Sequence, residues 1–109
     1  MRIEQARAVV EQYITALGNL RRTLAPRKCA LDKRGLPNVL SLEHALWMLH
    51  EMRTMLHNAH AVWSDPEWDL GDTVDGDKIN RWLGFVQGVL WTTGVYTIDD
   101  MRDHNRQKE

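Results

Sequence analysis

The chain has very little cysteine: Cys29 is the single one among 109 residues. One thiol has no partner for a disulfide within the chain, so a small scaffold held together by disulfides is excluded. Charged residues interrupt the first ten positions, among them Arg2, Glu4 and Arg7, and this pattern differs from that of a secretory signal. We therefore expect a protein of a reducing cytoplasm.

Long hydrophobic runs are also missing. The longest, from Trp82 to Trp91, contains Gln87 and two glycines, and it has about half the length that spans a bilayer. We therefore expect no membrane segment.

The chain has no excess of charge of either sign. Fourteen basic and 15 acidic residues leave a net charge of −1, so no overall field attracts nucleic acid or an anionic membrane. Apolar residues make up 43%, which is ordinary for a globular chain with one hydrophobic core. We expect residues 1–109 to form a single helical domain.

Catalytic motifs are absent from the sequence. It contains no phosphate-binding loop and no nucleophile elbow. Helical nucleotide pyrophosphohydrolases hold magnesium with glutamates three or four apart, whereas Glu4 and Glu11 are seven apart, and Glu43 and Glu51 are eight apart. The acidic stretch 64–77 does not match a calcium-binding loop either, because Gly76 at the sixth position puts a tryptophan at the twelfth. We expect no enzymatic activity and no cofactor.

Helical periodicity is the strongest pattern present. Two stretches repeat apolar residues at alternating spacings of three and four, which indicates one buried stripe along each of two helices. We predict helices at about 2–24, ended by Pro26, and at about 42–63, with Ser41 as N-cap. The stripes are Ile3, Ala6, Val10, Tyr13, Leu17, Leu20 and Leu24, then Leu42, Ala45, Leu49, Met52, Leu56, Ala59 and Trp63.

A third helix is predicted at about 78–93 and a short fourth at about 98–104. Gly94 suits the left-handed position that ends a helix, and Thr97 with Asp100 resembles a capping box. The predicted fold is all-α: a small helical bundle of three main helices plus the short C-terminal helix. Two long helices of this kind pack most naturally as an antiparallel pair.

The third helix is apolar around most of its circumference, which predicts cover on more than one side. Gly84 and Gly88 lie on one face and permit a neighbouring helix to approach closely. Trp82 and Trp91 are about 180° apart on the helical wheel, so they cannot both enter one small core. We predict a protein interface, formed either in a homo-oligomer or with another protein partner. Its predicted anchors are Trp82, Phe85, Trp91 and Tyr96.

Three histidines, at positions 50, 57 and 60, share one flank of the second helix. A zinc site needs three or four converging ligands, and one helical turn supplies two of them here, His57 and His60. Exposed surface histidines are the ordinary interpretation, and a metal-dependent helical hydrolase through this pair is an alternative.

The loop of residues 25–40 and the end of the first helix are basic. Arginines and lysines contact phosphates without sequence preference, so this segment predicts nucleic-acid binding as a second alternative. Against it, the segment lacks interleaved aromatic residues, and a solvated loop is the ordinary interpretation. The basic residues are Arg21, Arg22, Arg27, Lys28, Lys33 and Arg34.

The stretch from Arg81 to Asn105, RWLGFVQGVLWTTGVYTIDDMRDHN, resembles the C-terminal part of small helical proteins encoded by tailed phages and prophages. The resemblance implies an accessory protein in the cytoplasm of a bacterial host that acts by binding a host or phage macromolecule, including host defence components. A small-molecule-binding protein with a pocket between subunits is a further alternative.

Overall fold

A computed structural model describes residues 3–20, 23–31, 35–62 and 76–106, with the side chains of residues 59–62 and 77 excepted. The described chain forms four helices, α1 (Ile3–Gly18), α2 (Asn38–Val62), α3 (Gly76–Thr92) and α4 (Ile98–Asn105). The described part contains no strand, which confirms the predicted all-α fold of three main helices and a short C-terminal one.

The two long helices run antiparallel. Just after α1, the Ala25 N–H donates to Glu43 near the start of α2. Earlier in α1, Glu11 pairs with Arg53, which lies later in α2. The end of α1 therefore meets the beginning of α2. Helix α3 packs mainly against α2, and α4 packs against α1.

The hydrophobic core uses the predicted stripes as far as the structure describes them; the Ala59 side chain and Trp63 lie outside the described residues. Burying each large apolar side chain contributes about 1.5–3 kcal/mol, and a stripe on each helix supplies these side chains. The core comprises Ile3, Ala6, Val9, Val10, Tyr13 and Leu17 of α1, Leu42, Ala45, Leu46, Met48, Leu49, Met52 and Leu56 of α2, Ile79, Leu83, Val86 and Leu90 of α3, and Met101 of α4.

The predicted end of the first helix, at about residue 24, is wrong. Helix α1 ends at Gly18. The Asn19 N–H then donates to both Thr15 and Ala16, and the Leu20 N–H donates to Leu17, three residues back. Glycine loses more conformational freedom in a helix than any other residue, so the helix ends there at little cost. Leu20 and Leu24 still pack against the core, although they lie outside the helix.

The predicted N-cap role of Ser41 is also wrong. Helix α2 begins at Asn38, and the Ser41 N–H already donates to the carbonyl of Pro37 at 2.9 Å. The Ser41 hydroxyl donates back to the carbonyl of Leu36. Proline has a backbone angle compatible with a helix and lacks an N–H, so Pro37 serves the helix start instead of delaying it.

The junction between α3 and α4 follows the prediction. The Gly94 N–H donates to Trp91 at 3.1 Å, and the Val95 N–H donates to Leu90 at 2.8 Å, which is the bond pattern of a Schellman motif. Thr97 and Asp100 form a complete capping box at the start of α4.

None of the helices in the described residues has both the length and the apolar character that crossing a membrane requires.

Candidate binding surfaces

Helix α3 carries an uncovered side, which we call the α3 outer face and define by Gly84, Phe85, Gly88 and Trp91. The exposed fractions are 44% for Phe85 and 52% for Trp91. On the helical wheel the two rings are separated by about 120°, with the glycines between them. The face is therefore a shallow groove with a glycine floor and an aromatic wall on each side.

The glycine floor is open. A Cβ atom built on Gly84 or Gly88 meets nothing within 4 Å in the described part of the chain. No neighbouring helix of the described chain makes this close approach, because the buried side chains of α3, Ile79, Leu83, Val86 and Leu90, lie on the other side of the helix. The close approach that they permit is available to another molecule.

A second surface is formed by four rings of α2 and α3, which we call the tryptophan cluster: His44, Trp47, Trp82 and Phe85. The ring centroids of Trp47 and Trp82 are 5.7 Å apart, at an interplanar angle of 38°. His44 lies 5.6 Å from Trp47 and 6.1 Å from Phe85. Both tryptophans are half-buried, so each presents part of its ring at the surface.

Two lysines lie over the tryptophan rings. The Lys28 ammonium is 5.4 Å from the Trp47 ring centroid, and the Lys78 ammonium is 4.9 Å from that of Trp82. These distances are within the range of a cation–π attraction. Lys28 of the basic segment and Lys78 of α3, which are separate in the sequence, therefore share one surface with the aromatic rings.

The basic segment is held on α2 by two buried polar side chains, Glu43 and His44, which are 7% and 4% exposed. Glu43 accepts from the Ala25 N–H at 2.9 Å and lies 3.6 Å from the Arg27 guanidinium. His44 Nδ1 accepts from the Cys29 N–H at 3.0 Å. These bonds satisfy both buried groups and place Lys28 beside Trp47.

The pKa of His44 is lowered from its ordinary value. Burial disfavours the charged imidazolium, and the nearby Lys28 ammonium lowers the pKa further. A neutral ring is also what the contact requires, because Nδ1 acts as an acceptor.

Tyr96, a predicted interface anchor, packs inside the domain. Its ring centroid lies 5.5 Å from that of Tyr13 and 4.8 Å from that of His104, and the residue is half-buried. Trp82 is half-buried in the tryptophan cluster. Of the four predicted anchors, the structure thus leaves Phe85 and Trp91 most exposed.

The predicted metal pair is not assembled into a site by the described residues. His57 is exposed, and the side chain of His60 lies outside the described residues. No group of three or more potential ligands is present in the part of the chain that the structure describes. His57 instead lines a groove of about 510 Å³ between α1 and α2.

That groove is dominated by an ion pair. Arg53 donates to both carboxylate oxygens of Glu11, at 2.6 and 2.9 Å. These hydrogen bonds lower the pKa of Glu11. Both partners are exposed, so the pair contributes less than about 1 kcal/mol and serves to join the two helices.

The predicted basic set is described only in part. Arg27 and Lys28 lie in the described segment, where Arg27 pairs with Glu43. The other four, Arg21, Arg22, Lys33 and Arg34, lie outside the described residues.

Sequence reasoning missed Trp47, His44 and Lys78 as members of a surface. His44 and Trp47 are three residues apart, which places them on one flank of α2. This spacing is the sequence feature that could have indicated a shared surface. Their meeting with Lys28 and with α3 depends on the tertiary structure.

Comparisons of the chain with protein-family models, with curated proteins and with solved structures give no match.

Proposed function

We propose that this protein is a non-enzymatic binding protein that recognises another protein through the α3 outer face. The single observation behind the proposal is the exposure of Phe85 and Trp91 on either side of two uncovered glycines. Large aromatic side chains dominate binding hot spots, and glycines allow a partner helix to come close. A second copy of this chain is one such partner.

The resemblance of Arg81–Asn105 to phage and prophage accessory proteins suggests the cell in which this binding role is carried out. It suggests action in the cytoplasm of a bacterial host, on a host or phage macromolecule. Host defence components are within that class of target.

The decisive variant is Gly88→Arg, because arginine favours a helix over glycine by about 1 kcal/mol and so preserves folding. Its side chain fills the groove floor and blocks close approach. Gly18→Arg is the matched control, since Gly18 is also exposed and a Cβ there meets nothing within 4 Å in the described chain.

Self-association is measured by sedimentation velocity, and hetero-association by capture from bacterial lysate with quantitative mass spectrometry. We expect wild type and Gly18→Arg to associate with a protein, and Gly88→Arg to lose that association by about tenfold or more. A wild-type protein that is monomeric and captures nothing contradicts the proposal, as does association that survives Gly88→Arg unchanged.

A further inference from the structure

The tryptophan cluster, with Lys28 and Lys78 above it, has a chemistry different from that of the α3 outer face. We propose that this surface binds single-stranded nucleic acid, with unpaired bases stacking on Trp47 and Trp82 and phosphates contacting the two lysines. Phe85 belongs to both surfaces, but the proposal does not rest on the protein-binding role, because its contacts are Trp47, Trp82 and the two lysines and not the glycines or Trp91.

The rings suit stacking. Trp47 and Trp82 are half-buried, so each ring is held by the protein on one part and presented on another. A centroid separation of 5.7 Å makes them a continuous aromatic surface. Base–aromatic stacking tolerates any sequence because every base has a π-face.

The charge suits a phosphate backbone. Lys28 and Lys78 lie 5.4 and 4.9 Å from the two ring centroids. Among the described contacts, Glu43 is the carboxylate that lies next to this cluster. It is buried and lies beside Arg27. Lys28 and Lys78 therefore place two positive charges at the rings, and a phosphate can draw each flexible ammonium from its ring.

The surface is also organised before binding. The Lys28 segment is fastened to α2 through Glu43 and His44, so ordering this segment costs little on association. An acidic peptide would satisfy the lysines but leave the flat rings without a stacking partner. Unpaired nucleotides satisfy both, whereas bases in a duplex are already stacked and cannot reach the rings.

The test is a fluorescence-anisotropy titration with a labelled oligothymidine of roughly 20 nucleotides and with a duplex of equal length, over a salt series. The principal variant is Lys28→Gln with Lys78→Gln. The matched control is Arg102→Gln with Arg106→Gln, which removes two positive charges from exposed side chains of the α4 region. Lys28→Arg with Lys78→Arg keeps the charge at the cluster.

We expect the wild type, the control and the arginine variant to bind the single strand more tightly than the duplex. The glutamine variant should bind about tenfold or more weakly, and its slope of log K against log salt should fall by about 1.4, or about 0.7 for each lost phosphate contact. Trp47→Leu, confirmed as folded by circular dichroism, should also weaken binding to the single strand about tenfold.

Three results would overturn the proposal: no binding of the single strand at about 50 mM salt, equal binding of duplex and single strand, or an equal loss in the glutamine variant and the α4 control. Gly88→Arg separates this proposal from the protein-binding role, because it blocks the α3 outer face but leaves Trp47, Trp82 and the two lysines in place, so it should not weaken oligothymidine binding.

Discussion

Gly94 adopts a backbone conformation that a residue with a side chain resists. Its φ is +81°, in the left-handed region, where a Cβ approaches the following carbonyl oxygen. This conformation lets Gly94 and Val95 donate to Trp91 and Leu90. The glycine thereby closes α3 and turns the chain toward α4.

Gly94→Ala should lower the free energy of unfolding by about 1–2 kcal/mol. Gly88→Ala is the matched control, because Gly88 lies within α3 without a positive φ, and alanine there should stabilise the fold by up to about 1 kcal/mol. Urea unfolding measures both. A Gly94→Ala protein as stable as the wild type would contradict the role given to this turn.

His44 is the residue most sensitive to pH in the tryptophan cluster. Its pKa is lowered, first by burial and then by Lys28. Because the folded pKa lies below the ordinary value of 6.5, the unfolded chain binds the proton more readily. The contribution of neutral His44 to the free energy of unfolding is therefore complete above about pH 6.5, and it is lost as the pH falls through the folded pKa.

An NMR titration of the His44 ring should consequently give a midpoint below 6.5. Urea unfolding at several pH values should show stability falling below that pH, because the imidazolium cannot accept from the Cys29 N–H. His44→Gln supplies an acceptor that does not titrate, so this variant should have a weaker pH dependence in the same window. A midpoint at or above 6.5 would refute the assignment.

At the scale of elements, α4 is fastened by a polar network around Tyr13. The Tyr13 hydroxyl accepts from Gln87 at 3.0 Å and is hydrogen-bonded to His104 Nδ1 at 2.9 Å. Gln87 and Asn105 exchange hydrogen bonds in both directions. Burial raises the pKa of Tyr13, so its hydroxyl stays protonated throughout the physiological range. One buried phenol thus links α1, α3 and α4.

Tyr13→Phe should lower the free energy of unfolding by about 1–2 kcal/mol, and it should speed amide hydrogen exchange in α4 more than in α2. The reason is that the hydroxyl is lost while the ring still fills its site. Tyr96→Phe is the control, since the contacts described for Tyr96 are made by its ring. Equal exchange rates in the wild type and in Tyr13→Phe would show that the network does not hold α4.

At the scale of the whole molecule, stability resides in the core between α1, α2 and α3. Leu49 is fully buried, whereas Trp91 is 52% exposed on the α3 outer face. A large exposed ring contributes little to folding and is available for binding.

Leu49→Ala should lower the free energy of unfolding by about 2–5 kcal/mol, through lost burial and the cavity left behind. Trp91→Ala should change it by less than about 1 kcal/mol. Paired urea titrations below 1 µM protein, about the range where weak self-association dissociates, measure both. A loss for Trp91→Ala as large as that for Leu49→Ala would place Trp91 in the fold and remove the basis of the proposed interface.

The helices and their signals were predictable because they arise from local interactions. The apolar stripe of α1, the turn at Gly94 and the capping box at Thr97 each depend on residues within a few positions of one another. The residues at which the helices begin and end were less predictable. Gly18 ended α1 early although Leu20 and Leu24 continued the stripe, because these leucines could reach the core without a helix.

For the candidate surfaces, the sequence predicted some of the participating residues but not which of them meet in space. The opposed positions of Trp82 and Trp91 follow from helical geometry, so the sequence alone determined that they face different surroundings. The path of the 23–31 segment and the packing of α3 on α2 decided what those surroundings are. Periodicity determines which face of a helix is apolar, whereas contacts between distant segments, such as Lys28 with Trp47, exist only once all the helices have packed.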